Sequence, residues 1–78
     1  MGRGTLESAT ERYERAVKAA MQIALKISDD LIRDAALREI IGLCVKARDL
    51  RRAEVLFGAI QSASIGEAVL IDNPGLRK

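Results

Sequence analysis

The stretch at residues 36–60, ALREIIGLCVKARDLRRAEVLFGAI, constrains the fold more than any other part of the chain. Ile40, Leu43, Cys44 and Ala47 recur at three- and four-residue steps and so share one face of a helix, a face the spacing predicts to be buried. Lys46 and Arg48 fall where that helix would end, their positive charge favourable against the negative end of its macrodipole. Asp49 follows as a short acceptor placed to cap the free amides of a second apolar run, Ala53, Leu56, Phe57 and Ile60. With so few residues between the two runs, the helices are expected to fold back on each other as an antiparallel αα-hairpin.

The rest of the chain reads as partial copies of this hairpin. A first helix is predicted from Thr5 or Ser8 to about Ile27, with Ser8 and Glu11 at capping-box spacing. Its apolar stripe is Tyr13, Ala16, Val17, Ala20, Ile23, Ala24 and Ile27, and Glu11 with Arg15 and Glu14 with Lys18 are ion pairs one turn apart on the wet side. Ser28, Asp29 and Asp30 interrupt the pattern, so a second helix is expected from about Asp29 to Ala47. Gly42 inside it costs about 1 kcal/mol relative to alanine and suggests a close-passing backbone or a bend. A third helix is expected from about Leu50 to Ser62, and a short fourth from Ser64 to Ile71 opened by a capping box of Ser64 and Glu67. Asp72, Asn73, Pro74 and Gly75 end it.

The expected fold class is therefore all-α, three main helices in antiparallel hairpins plus a short C-terminal helix. Residues 1–4 read as a flexible N-terminal arm, 5–72 as a single helical domain and 73–78 as a tail. At 78 residues the chain is near the lower limit at which one core sustains a fold, so burial must be efficient or shared with a partner. Alanine and leucine are abundant, β-branched residues never alternate with polar ones over a strand's length, and strands are not expected.

Sliding the sequence by thirty-three residues lays Ala20 on Ala53, Ile23 on Leu56, Ile27 on Ile60, Ile32 on Ile65, Ala35 on Ala68 and Leu37 on Leu70. A period in this range is a mark of helical repeat arrays. Residues 47–60, ARDLRRAEVLFGAI, resemble the second helix of a tetratricopeptide repeat, with Asp49, Ala53 and Phe57 at its acidic, small and aromatic positions. Leu37, Ile40 and Cys44 would then hold the large apolar positions of the repeat's first helix. The likeness runs from about Asp30 to Ser64. It departs from the family pattern at Leu37, where an aromatic is usual, at Ile41, at Cys44, and near Ile65, where no proline closes the unit. The resemblance implies a groove lined by the second helix at Ala35, Arg38, Gly42 and Val45. Glu39 stands where tail-binding members carry an amide, so capture of a C-terminal carboxylate is not expected.

Chemistry-bearing groups are scarce. The chain has no histidine, which removes most acid–base and nucleophilic arrangements, and Cys44 lies on an apolar stripe as a core thiol would. Asp29, Asp30 and Asp34 lack the spacing of a calcium loop and read as helix-start acids. No glycine-rich phosphate loop occurs. The expectation is a protein that is not an enzyme, with no cofactor and no metal. One cysteine excludes an internal disulfide, and the absence of a long apolar run or signal segment makes a cytoplasmic, non-membrane protein the expectation.

Two surfaces remain as candidate sites. Ile65, Ala68, Val69, Leu70 and Ile71 form an apolar segment with little sequence left to cover it, expected either to cap the core or to dock on a second copy as a homodimer. Lys46, Arg48, Arg51 and Arg52 cluster at the turn between the second and third helices and could contact an anion or an acidic partner. The net charge of only +2 and the absence of aromatics in that patch make a nucleic-acid partner the lesser expectation. The leading one is a protein–protein interaction or scaffold module that self-associates.

Overall fold

The structure is a computed structural model that describes residues 8–76. The arm at 1–4, a helix start at Thr5 and the last two residues of the tail lie outside the described residues. Within them the chain forms four helices, α1 (Ala9–Leu25), α2 (Asp30–Lys46), α3 (Leu50–Ala59) and α4 (Ala63–Asp72), followed by a 3₁₀ turn, Pro74–Leu76. There is no strand among the described residues, and no helix among them is long and apolar enough to cross a membrane.

Each helix is opened by a side chain that takes an orphan amide. Ser8 and Glu11 form a reciprocal capping box at 3.1 and 3.0 Å. Asp29 accepts from the Ile32 amide at 2.9 Å and Asp49 from that of Arg52 at 3.4 Å. The fourth helix starts earlier than the sequence suggests: Ser62, not Ser64, is its N-cap, accepting from the Ile65 amide at 3.4 Å. The cause lies far away in sequence. Asp34, fully buried in α2, accepts the amides of Gln61 at 3.0 Å and Ser62 at 2.7 Å. Those amides would otherwise continue α3 by bonding back four residues, so α3 stops at Ala59 and residues 60–62 cross extended into α4. Asp34 is thus not the helix-start acid its position suggested.

Helix α2 ends in a Schellman arrangement. The Asp49 amide reaches the Cys44 carbonyl at 2.8 Å, the Arg48 amide reaches that of Val45 at 3.0 Å, and Arg48 adopts the left-handed conformation with φ 61°. By its position in the sequence Arg48 reads as a charge partner for the helix dipole. Its backbone geometry is what turns the chain into α3.

Helix α2 is the central element and packs against α1, α3 and α4. Its buried side chains are Asp34, Leu37, Ile40, Ile41 and Cys44. They meet Val17 and Ala24 of α1, Ala53 and Leu56 of α3, Val69 of α4 and Leu76 of the terminal turn in one core. The expected buried face of α2 is therefore displaced: Leu43 is half exposed and Ala47 is exposed, while Leu37 and Ile41 take the inner positions. On α1, likewise, Ile23 stands 68% exposed and Ala16 is exposed, whereas Met21 packs on the core. Leu76 falls in the segment that the sequence marks as a tail but is buried, closing the C-terminal end against α3 and α4.

The molecule is a flat slab with principal extents of 49 × 29 × 14 Å.

Candidate functional site

The basic turn is held by a network that sequence spacing did not reveal. The Tyr13 hydroxyl donates to Asp49 Oδ2 at 2.9 Å, and Arg52 donates from Nη2 to Glu14 Oε1 at 2.9 Å. Arg52 Nη1 lies 3.2 Å from Asp49 Oδ2, an ion pair without hydrogen-bond alignment, and its guanidinium sits 5.9 Å from the Tyr13 ring centroid. Glu14 accordingly serves Arg52 across the fold. The Glu14 carboxylate beside it raises the Arg52 pKa, and burial pushes that of Tyr13 up, with Cys44 and Asp49 adding to the effect. Of the four cations grouped by sequence, Lys46, Arg48 and Arg51 are exposed, while Arg52 is spent on α1. The hollow beside this network is lined by Ala9, Thr10, Tyr13, Glu14, Arg48 and Asp49, and the polar groups of Tyr13, Glu14 and Asp49 are already partnered.

Cys44 is fully buried, and burial pushes its thiol pKa up, the opposite of what an attacking thiolate needs. Asp29 caps α2 and Asp30 pairs with Arg33 at 2.7 Å, so the three acids serve three separate structural ends. Among the described residues no group of three or more His, Cys, Asp or Glu could hold a metal.

The C-terminal apolar segment is largely drawn inward. Val69 is fully buried, Ile65, Ala68 and Leu70 are half-buried, and Ile71 alone stands out at 70% exposure. Val69 is therefore unavailable to a partner, and the five residues do not present one open surface. The residues proposed to line a groove divide similarly. Val45 packs on the core and Arg38 donates to Asp72 Oδ2 at 2.7 and 3.1 Å, while Ala35 is exposed and Gly42 half-exposed.

A different surface is open. Between α1 and α2 runs a trough whose α1 wall is Ala20, Ile23, Ala24 and Ile27. Its α2 wall is Ala36, Glu39, Ile40 and Leu43. Seven of these eight are apolar, with Ile23 and Leu43 exposed on the rim and Ala24 and Ile40 forming the floor. Glu39 is the one charged residue in the lining. Neither it nor Lys46, two turns further along α2, has an ion pair or hydrogen bond from its side chain among the described residues. Large apolar side chains gathered on an open face mark a docking surface more often than isolated exposed leucines do. Sequence reading missed the trough because Ile23 and Leu43 obey helical spacing and so passed as core; the signal was that α2 carries apolar residues over more than one face.

No protein-family model matches the chain, and no curated protein or solved structure matches it at a significant level.

Proposed function

We propose that this chain is a non-catalytic protein–protein interaction module, built from hairpins of the tetratricopeptide type, that receives an amphipathic helix of another protein molecule in the α1/α2 trough. The observation that carries the reading is the open apolar trough with Ile23 and Leu43 exposed at its rim.

The thirty-three-residue offset supports it and indicates the occupant. Asp29 and Ser62, the N-caps of α2 and α4, are separated by that offset. The same shift carries trough residues Ala20, Ile23, Ala36 and Leu43 onto Ala53, Leu56, Val69 and Leu76. All four of the latter are buried, at 0, 2, 0 and 7% exposure. They belong to α3, α4 and the terminal turn, the elements beside α2; the corresponding surface of α1 and α2 has no helix over it among the described residues. A helix with the character of α2 is the natural cover.

Arg52's engagement with Glu14 weakens the nucleic-acid alternative, since it removes a cation from an already small patch. The test is site-specific photocrosslinking. A photoreactive residue at position 43 or 23, in extract of cells that make the chain, should give discrete protein adducts that one at the exposed Arg12 position does not. Excess unlabelled chain should suppress them, and the Leu43→Glu chain should not. Equal, diffuse labelling from all three positions overturns the reading.

A further inference from the structure

We infer that the helix occupying the trough is α2 of a second copy of this chain, packed antiparallel across a two-fold axis near Gly42 and Leu43. The inference rests on the trough being a docking surface, as proposed above.

Three observations select this occupant. The first is charge. Along the exposed stripe of α2 run Ile32, Ala35, Glu39, Gly42, Leu43 and Lys46, with the acid and the base on either side of Leu43. Reversing the helix about the midpoint of residues 42 and 43 places Glu39 of each copy opposite Lys46 of the other, because their positions are symmetric about that point. Both pairings form at once, and both groups lack a partner among the described residues. A parallel arrangement would set Glu39 against Glu39.

The second is Gly42. A helix-interior glycine costs about 1 kcal/mol relative to alanine, and a close-packed neighbour normally accounts for it. Here a Cβ at Gly42 would meet nothing within 4 Å. Nothing in the described chain uses the missing side chain. In the two-fold pair, Gly42 borders the trough and lies opposite Leu43 of the second copy, because 42 and 43 are symmetric about the same point as 39 and 46, and the missing side chain leaves room for that leucine.

The third is shape. Leu43 on the trough's rim lies next to the axis, so the two copies' Leu43 side chains meet there and cover the exposed Ile23 of the α1/α2 surface. Among the described residues no second layer lies over this face. The pair supplies one, as a four-helix arrangement of two α1 and two α2 helices.

Sedimentation and light scattering of the full chain from about 1 to about 500 µM test the proposal. A monomer–dimer equilibrium is expected. Glu39→Lys alone, or Lys46→Glu alone, should weaken it about tenfold or more, because each puts like charges together twice. The double reversal should restore it to within about threefold of the parent. Gly42→Ala should move two readouts in opposite directions: a higher monomer Tm, by roughly 4–8 °C in dilute solution, and weaker association. A merely structural glycine would change the first and leave the second alone. Leu43→Glu should abolish association while keeping the helical content of the parent. A chain that stays monomeric throughout the range overturns the inference. So does a dimer indifferent to Leu43→Glu and to the charge reversals. A monomeric chain whose position-43 crosslinker still captures one specific protein would sink the self-pairing and leave the docking reading intact; loss of that crosslink would sink the docking reading itself.

Discussion

Arg48 holds the left-handed backbone conformation at φ 61° that ends α2, a region where a Cβ crowds the following carbonyl. Its side chain is exposed and has no partner among the described residues that would offset this strain. Arg48→Gly is therefore expected to raise unfolding free energy by about 1 kcal/mol, after allowance for the greater freedom of glycine in the unfolded chain. Urea titration of the two proteins, compared at equal slope, measures it. Tyr13 and Cys44 make a pH prediction. Burial raises both pKa values above their ordinary 10.0 and 9.0, so the folded chain holds these protons more tightly than the unfolded one. Their contribution to stability is complete below about pH 9 and is lost as the pH rises beyond it, because the unfolded state then binds fewer protons. Thermal melts at pH 8 to 11 should show a fall in Tm that is shallower in Tyr13→Phe. That variant should also start lower at pH 8, having lost the bond to Asp49.

At the scale of elements, the boundary between α3 and α4 depends on one carboxylate. The fully buried Asp34 takes two backbone amides on Oδ2, and its removal would deprive both of their protein partner. Asp34→Ala should cost about 2–4 kcal/mol, with amide exchange at Gln61 and Ser62 accelerating first. An unchanged exchange rate at these two amides would show that the loop is held by something else. The C-terminal turn is the other decisive element. Leu76 completes the core over α3 and α4, and Leu76→Ala should cost about 2–3 kcal/mol, measured by the denaturant midpoint. A tail without structural weight would show no change. The ion pair between Arg38 and Asp72 joins α2 to the end of α4 on the surface and contributes at most about 1 kcal/mol, so high salt should scarcely alter stability through it.

At the scale of the whole molecule, the radius of gyration of 13.9 Å exceeds the roughly 11 Å expected for a compact chain of this length. A slab exposes more apolar surface than a sphere of equal volume, which is why Ile23, Leu25, Leu31, Ile32, Leu43 and Val55 remain outside while ten apolar side chains among the described residues are buried. Association through such a face makes stability depend on concentration. Tm should rise when the chain is concentrated about a hundredfold, and the rise should vanish in Leu43→Glu. The all-helical class, the number of helices and three of the four N-caps are legible in the sequence because each depends on residues within a few positions of one another: Ser8 with Glu11, Asp29 with Ile32, Asp49 with Arg52. The remaining features depend on pairs that spacing cannot announce. Arg52 reaches Glu14 across 38 positions, Tyr13 reaches Asp49 across 36, and Asp34 sets the end of α3 across 27 and 28. The same division applies to α2, whose residues are apolar on more than one face. Local periodicity makes it a helix. Which face goes inside was decided by where α3, α4 and Leu76 come to rest, since those elements cover Leu37, Ile41 and Cys44 and leave Leu43 to the solvent.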